Sequence, residues 1–508
     1  MSAISQGDAA NRTAITVSVM LATIMISLDT TIANVALPHI QGSVSASADQ
    51  ITWVLTSYIV AATIMTPLTG FLTDRMGRKM VFLVSIAGFT VASMLCGVAT
   101  SLIEIVLFRL LQGLFGAALI PLSQAVLLDI NPPEKHGSAM AIWGAGAVLG
   151  PILGPGLGGW LTDNLDWRWV FFINLPIGLL AFGGVFFFLA EKKAAVQKRF
   201  DVLGFCSLAV AIGAFQLMLD RGPGQDWFGA TEIWIYLIVG GLALWTFGVQ
   251  LATANKPFVD RALLGDANFI TCCAFGFFIG ILLYSTLALL PPMMQSLLGY
   301  PVAYTGMVSM PRGIGSFIAM FAVGQLIGRV DTRVVLITGL AISAVALWQM
   351  TQFTLGMDSR LIVISGFLSG VGTGLIFVPL STIAFAKVLP QHRAEGAGLF
   401  TLVRNIGSAA GISIMQARFV TGIETHHAVL VEHARPDNPI YRAYAPHIFD
   451  TEGAMAAFNA VITRQASMLS YLDDFRLMLG ITILCAPLIL LMRTPKTKGG
   501  ETPHVADH

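Results

Sequence analysis

Some fourteen apolar runs, at roughly 14–37, 51–72, 80–99, 103–128, 137–162, 169–190, 203–219, 231–250, 268–290, 304–328, 334–353, 360–384, 395–419 and 476–492, divide this sequence of 508 residues. Each approaches or exceeds the about 20 residues that a helix needs to cross the hydrocarbon layer of a bilayer. In lipid a run of this length has to satisfy its own backbone hydrogen bonds, which a helix does. The chain is therefore expected to be an all-α polytopic membrane protein. Its charge content agrees, at 11% of residues against about a quarter in soluble domains, and excludes a water-soluble enzyme. With 29 basic and 28 acidic residues the formal charge is +1, so the chain carries neither a basic surface for nucleic acid nor an acidic tail.

Loop charge orients the spans. With the amino terminus inside, the inner loops carry Arg12, Arg75, Arg78, Lys79, Lys135, Lys192, Lys193, Lys198, Arg199, Lys256, Arg261, Arg329, Arg333, Lys387, Arg393, Arg493, Lys496 and Lys498. The outer loops carry only Arg168, Arg221, Arg360, Arg435, Arg442 and Arg464. Basic residues are retained on the cytoplasmic side, so both termini are expected there. The polar start through Arg12 leads into an apolar stretch too long for a cleavable signal core, and the first helix is expected to stay as an anchor.

The two halves echo one another. The stretch from Gly70 to Lys79 returns, degraded, about 254 residues later as Gly324 to Arg333, with Gly328 where Asp74 stands. Leu111-Gln112-Gly113 with Pro121-Leu122-Ser123 answers to Leu368-Ser369-Gly370 with Pro379-Leu380-Ser381, and Gly150 and Gly154 to Gly407 and Gly411. A parallel repeat of this length fits two six-helix bundles related by an axis along the membrane normal, with two added spans between them. The expected organisation is a cytoplasmic start (1–13), a first bundle (14–190), a two-helix insertion with linkers (191–267), a second bundle (268–492) and a cytoplasmic tail (493–508). Within the second bundle, 420–475 reads as a long polar outer loop with Pro436, Pro439 and Pro446 and four histidines, His426, His427, His433 and His447. No carboxylate stands at a ligand spacing from those histidines, so the loop reads as solvated rather than metal-binding. Phe458, Val461, Ile462, Leu469 and Leu472 recur near helical period, a face for the membrane surface, the protein's own helices or another protein. The five cysteines lie in apolar segments without Cys-x-x-Cys spacing and suggest no metal.

Phosphate-loop, zinc-hydrolase and nucleophile-elbow patterns are absent. Gly154 to Gly159 matches Gly-x-Gly-x-x-Gly, but within an apolar run and without a preceding strand, so no dinucleotide site is read there. Gly146, Gly150, Gly154 and Gly158 recur every fourth residue, a smooth helix face that admits a close neighbour. Pro151 and Pro155, lacking amide donors, suggest a bend and a flexing element where the bundles meet. Charges inside spans carry more meaning, since each costs a few kcal/mol and marks a functional site by default. Asp29 reads as the only carboxylate well inside a span, and Arg109, Arg312 and Arg404 as the deepest cations. Asp29 is the natural proton carrier; the alternative is a static pair with a cation such as Arg109. Asn34, about 140° around the helix from Asp29, flanks that position. Arg109, Gln112, Gly113 and Gly116 share one face of the fourth span. Asp74-Arg75-Met76-Gly77-Arg78-Lys79 at the membrane edge suits topology signalling or a latch between helix ends.

These motifs together resemble the major facilitator superfamily, in its fourteen-helix drug:proton antiporter branch and its EmrB-type exporter subgroup. The likeness rests on Gly70 to Lys79, on Arg109 with Gln112, Gly113 and Gly116, and on the ladder from Gly146 to Gly159. It rests further on Leu28 to Pro38, Trp167 to Pro176, and Asp220-Arg221-Gly222 with Asp226-Trp227-Phe228. The resemblance implies export of hydrophobic small molecules by alternating access through a central cavity, in exchange for protons and without a cofactor. It also implies a bacterial inner membrane, a periplasmic membrane-fusion adaptor docked on the long outer loop, and a TolC-type outer-membrane channel. On this chain the coupling residues would be Asp29 and Arg109. The latch would be Gly70, Asp74, Arg75, Gly77, Arg78 and Lys79. The antiporter motif would be Gly146, Gly150, Pro151, Gly154, Pro155, Gly158 and Gly159, and the cavity wall Asn34, Gln112, Arg404 and Asn405. A dedicated metabolite or siderophore exporter on the same fold is the alternative. One charge crossing 100 mV is worth about 2.3 kcal/mol, enough at 1.4 kcal/mol per decade for a roughly fifty-fold gradient.

Overall fold

The computed structural model describes residues 6–46, 48–51, 53–132, 135–191, 201–255, 257–326, 330–386, 388–389, 392–434 and 451–492. Lys192, Lys193, Lys198, Arg199, Lys256, Gly328, Arg329, Lys387, Arg435, Pro436, Pro439, Arg442, Pro446, His447 and the tail 493–508 lie outside the described residues. Among the described residues no strand occurs. Among the described residues thirteen helices are long and apolar enough to cross a membrane, and a bent helix pair counted as one span brings the number to fourteen.

The first bundle comprises α1 (Gln6–Ser43), the bent pair α2 (Trp53–Met65) and α3 (Leu68–Met76), α4 (Arg78–Val98), α5 (Leu102–Gly116) continued by α6 (Leu119–Ile130), α7 (His136–Asn164), and α8 (Trp169–Phe172) continued by α9 (Asn174–Phe188). The inserted pair is α10 (Val202–Arg221) and α11 (Thr231–Thr253). The second bundle comprises α12 (Ala267–Pro292), α13 (Val302–Leu326), α14 (Thr332–Met350), α15 (Ser359–Phe385), α16 (Arg393–His433) and α17 (Glu452–Cys485), the last followed by α18 (Leu488–Leu491). The 58° bend between α2 and α3 falls at Pro67, which has no N–H to give and crowds the carbonyl of the preceding turn. α5 starts on Ser101, whose side chain accepts from the Glu104 N–H while Glu104 reaches back to the Thr100 N–H at 2.8 Å, a reciprocal cap.

Packing explains the glycine ladder. A Cβ on Gly150 would lie 2.3 Å from the Ser27 carbonyl carbon, and one on Gly154 2.1 Å from Thr31 Oγ1, so this face of α7 lies directly on α1. Ser27 Oγ donates to the Ala147 carbonyl and Thr31 Oγ1 to that of Gly150 at 3.1 Å. Another face of α7 meets the second bundle, where Gly144 abuts Met320 and Ile152 fills the space beside Gly313 on α13. Trp143 of α7 stacks on Phe377 of α15 at 5.5 Å. The helix runs unbroken through the proline positions; the side chains of Pro151 and Pro155 lie outside the described residues. Gly159 has nothing within 4 Å of its Cβ position and takes no part in the contact. Gly150→Ala is therefore expected to force α1 from α7 at a cost of about 1–3 kcal/mol, read as a lower melting temperature in detergent. Gly159→Ala should be neutral in the same measurement.

The inserted helix α10 lies across the seam between α2 and α16. Thr56 of α2 donates to Asp220 at 2.6 Å, Arg221 sits 5.7 Å from the Trp53 ring, and Ser413 of α16 donates to the Leu219 carbonyl. Leu208 and Ile212 of α10 form a small core with Leu402 of α16. α11 packs on α10 and is otherwise turned outward, with Leu242 and Trp245 exposed.

The segment 420–475 differs from the expected outer loop. α16 continues to His433 and α17 begins at Glu452, so both ends of the segment form a helical hairpin. Polar clasps hold it: His426 to Asp473 at 2.8 Å, His427 to Asn459 at 2.9 Å and Ser470 to the Phe419 carbonyl at 2.7 Å. Of the apolar residues near helical period, Ile462 and Leu472 are buried and Leu469 packs on the core, so that face lies on the protein's own helices, whereas Val461 is 61% exposed.

Candidate functional site

Five spans of the first bundle converge on Asp29 of α1. Arg109 of α5 donates from Nη1 to Asp29 Oδ2 at 2.7 Å, and each side chain is 1% exposed. The other oxygen, Oδ1, accepts from Gln112 Nε2 and from Asn174 Nδ2 of α9, both at 2.8 Å. Arg109 is held in turn by Gln112 Oε1 at 2.7 Å, by the Val54 carbonyl of α2 at 3.2 Å, and by the Tyr58 ring, 4.3 Å from its Cζ. Asn174 also donates to Ser93 of α4, which donates to the Phe171 carbonyl. Asp29 thus accepts three bonds, one of them from a cation, while all its partners face away from water.

Gln112 belongs to this cluster rather than to an open wall. Asn34 does not: it is exposed, and its amide donates to the Thr30 carbonyl at 3.0 Å. Asn174 and Ser93 were not singled out in the sequence, although Asn174 lies within the Trp167 to Pro176 motif. A proton arriving on Asp29 would remove the charge that draws the guanidinium and turn one acceptor oxygen into a donor.

A second cluster joins the bundles at the end that carries residues 74–79. Gly77 adopts φ 83°, which a glycine allows without strain, and its N–H closes α3 on the Thr73 carbonyl. The turn delivers Arg78 to Asp129 at the end of α6, and Arg393 of α16 meets the other oxygen of Asp129 at 2.8 Å. One carboxylate is thus shared between cations of the two bundles. Close by, a Cβ on Gly70 would lie 2.8 Å from Glu395 Cβ, so α3 and α16 touch, and Glu395 accepts from the Asp260 N–H at 2.6 Å. Arg75 is exposed, and Lys79 lies 5.5 Å from the Phe186 ring. Asp129, Arg393 and Glu395, the partners of Arg78 and Gly70 in this cluster, were not singled out in the sequence.

Asp29 is not alone as a buried carboxylate. Asp474 of α17 is 1% exposed and lies 3.9 Å from Arg418; it stands just before the run that sequence assigned as the last span. In the second bundle Arg312 and Arg404 are buried, and Asn405 beside Arg404 is half-buried. Among the described residues no group of three His, Cys, Asp or Glu is placed to hold a metal ion.

The family model described as Major Facilitator Superfamily matches residues 19–412. The chain belongs to that superfamily. Relatives within it align along nearly the full length. The fatty acid resistance protein FarB of Neisseria gonorrhoeae is 35% identical over 492 residues, covering 96% of this chain and 97% of the relative. The multidrug export protein EmrB of Escherichia coli (strain K12) is 34% identical over 491 residues, covering 96% of each. Among solved superfamily structures, the proton:xylose symporter XylE superposes with a TM-score of 0.61 at 12% identity, covering 97% of this chain and 98% of that one. The human organic anion transporter MFSD10 does so at 0.61 and 15%, covering 93% and 99%; both likenesses are of fold alone. The chain is a multi-pass membrane transporter of the superfamily, and not an enzyme, built as two six-helix bundles with two helices between them.

Proposed function

We propose that this transporter exports hydrophobic or amphipathic toxic compounds by alternating access, in exchange for protons carried by Asp29. The observation that carries the reading is the buried Asp29–Arg109 pair with its two amide donors. Replacing such a pair by apolar residues is often neutral or stabilising, so its presence in a span points to use rather than to stability. The relatives' names, multidrug export and fatty acid resistance, support small-molecule efflux. Arg78, Asp129 and Arg393 close one end of the path while substrate leaves by the other. Substrate uptake into inside-out vesicles is expected only with an imposed pH gradient and to stop on adding an uncoupler; uptake indifferent to both would overturn the coupling.

The protein acts in this proposal in a bacterial inner membrane with both termini cytoplasmic, as the inner part of a tripartite pump with a periplasmic adaptor and a TolC-type channel. The helical hairpin of α16 and α17 is the docking element, and its exposed Val429, Met455 and Val461 support that role. Val429→Glu with Val461→Glu should reduce cross-linking to the adaptor while leaving transport in isolated vesicles intact; undiminished cross-linking would count against docking there.

A further inference from the structure

The export reading uses one buried carboxylate and leaves another idle. Asp29 accepts three hydrogen bonds. Asp474 of α17 is just as buried, at 1% exposure, but its Oδ2 has no partner among the described residues. Its Oδ1 faces Arg418 Nε of α16 at 3.9 Å, too long for a hydrogen bond. The surroundings offer no other donor. Phe475 beside it and Met478 one turn on are fully buried and apolar. Phe419 lies against Tyr471 with ring centroids 4.2 Å apart, and Ser470 gives its hydroxyl proton to the Phe419 carbonyl. An ionised carboxylate there lacks both water and donors, and a proton removes that cost.

Arg418 is 52% exposed, so its guanidinium has water while Asp474 is neutral and needs to move only about 1 Å to bond the carboxylate once it is ionised. The other charges at this level are Asp473 with its partners, His426 of α16 and Arg476. Arg464, earlier on α17, is turned to the Leu297 carbonyl. α12, α14 and the turn Met293–Leu297 also pack on α17. α12 and that turn carry no charged side chain, only Cys272, Cys273 and Tyr284 as weak acids, and α14 carries only Arg333, which is bonded to the Met492 carbonyl at the other end. Along the unbroken α16, Arg418 stands about 37 Å beyond Arg393, so the site lies at the end opposite the Arg78, Asp129 and Arg393 cluster.

We propose that Asp474 is a proton-binding site separate from Asp29, which holds a proton in the conformation described and, on releasing it to the medium at this end, binds Arg418 and clasps α16 to α17. The neutral acid leaves the guanidinium to water, whereas the carboxylate draws it in through a charge-assisted bond. The root of the helical hairpin is therefore firmer in a neutral medium than in an acidic one. The inference goes beyond the export reading and stands without it, since neither substrate nor Asp29 takes part.

The test is an infrared pH titration of the full chain in phosphatidylcholine nanodiscs, read as wild type minus Asp474→Asn, a difference in which the Asp29 band is common to both and cancels. A band of a protonated carboxylic acid is expected at low pH and is lost as pH rises. In Arg418→Gln its midpoint should move up by about one pH unit, a tenfold gain in proton affinity, and Arg418→Lys should bring it back. A spin label at Val420, exposed on α16, should be more mobile below the midpoint than above it, and mobile throughout in Asp474→Asn. Absence of the band at every pH at which the chain stays folded would overturn the proposal, as would a midpoint that Arg418→Gln does not move. Loss of the band when sodium chloride replaces choline chloride at constant pH would assign the carboxylate to a metal cation and overturn it too. A label response that survives in Asp474→Asn would assign the change to His426 with Asp473, with the same consequence. Should Asp474→Asn fail to fold, Arg418→Gln minus wild type decides: a protonated-acid band confined to the interval between the two midpoints is expected, and its absence counts against the site. No gradient and no substrate enter the assay, so a failure here and a failure of the export reading are told apart.

Discussion

Asp29→Asn is expected to reduce gradient-driven efflux to the level of vesicles without the protein, while the chain still inserts in the membrane. Asparagine keeps the size of the side chain and an oxygen that can accept from Gln112 and Asn174, so the helices can still pack. It takes away the charge that compensates Arg109 and, in the proposed cycle, the group that exchanges a proton. Removing one partner of a buried pair costs about 3–5 kcal/mol, because the other charge is left in a medium that does not solvate it. The variant should therefore melt at a lower temperature as well. The double variant Asp29→Asn with Arg109→Gln separates the two effects: it removes the stranded charge, so stability should return toward wild type, but coupling should not. Normal gradient-driven efflux by Asp29→Asn would remove this residue from the role, and recovery of transport in the double variant would reduce the pair to a structural one.

The second large effect is expected at Asp129. Its carboxylate is bonded by Arg78 of α4 and Arg393 of α16, and its side chain is 8% exposed. Asp129→Asn leaves one amide oxygen to accept where the carboxylate offered two, and sets an NH2 donor against the other arginine; the loss of about 1.5–3 kcal/mol moves an equilibrium between closed and open forms of this end by roughly one to two decades. Transport should fall because one half of the cycle becomes poorly populated, while substrate binding persists. Spin labels at Met76 and Leu389, both exposed at this end, should report longer distances in Asp129→Asn than in wild type. Unchanged distances together with unchanged transport would show that the ion triad is incidental to closure.

Why some of this was legible in the sequence and some not follows from what each residue has to do. Asp29 and Arg109 stand out because a charge in the middle of an apolar run has few innocent explanations, but that Arg109 rather than Arg312 or Arg404 meets Asp29 is decided by the fold. Asn174 does not stand out, since an asparagine beside Pro176 reads as a helix start and its bond to Asp29 spans 145 residues. Asp129 and Arg393 look like ordinary membrane-edge charges, and only the packing of α6 against α16 brings them together across 264 residues. The glycine ladder was readable as a contact face, but that its partner is α1, and that the second bundle takes another face, depends on the helix order in space. The segment 420–475 misled through its composition: polarity signals exposure, whereas the helical state of its ends comes with the burial of Ile462, the packing of Leu469 and Leu472 on the core and the clasp between His426 and Asp473. The same packing buries Asp474, which sequence placed outside the span.

The central claim is that Asp29 takes up and releases a proton as substrate goes and comes. Infrared difference spectroscopy of wild type minus Asp29→Asn, titrated in pH with and without a transported compound, observes that proton directly through the carbonyl stretch of a protonated carboxylic acid. The expected result is a band that grows as pH falls in the substrate-free protein and is displaced to lower pH when substrate is bound. A difference spectrum with no such band across the pH range of transport, in either condition, would mean that Asp29 stays ionised throughout and would contradict the account.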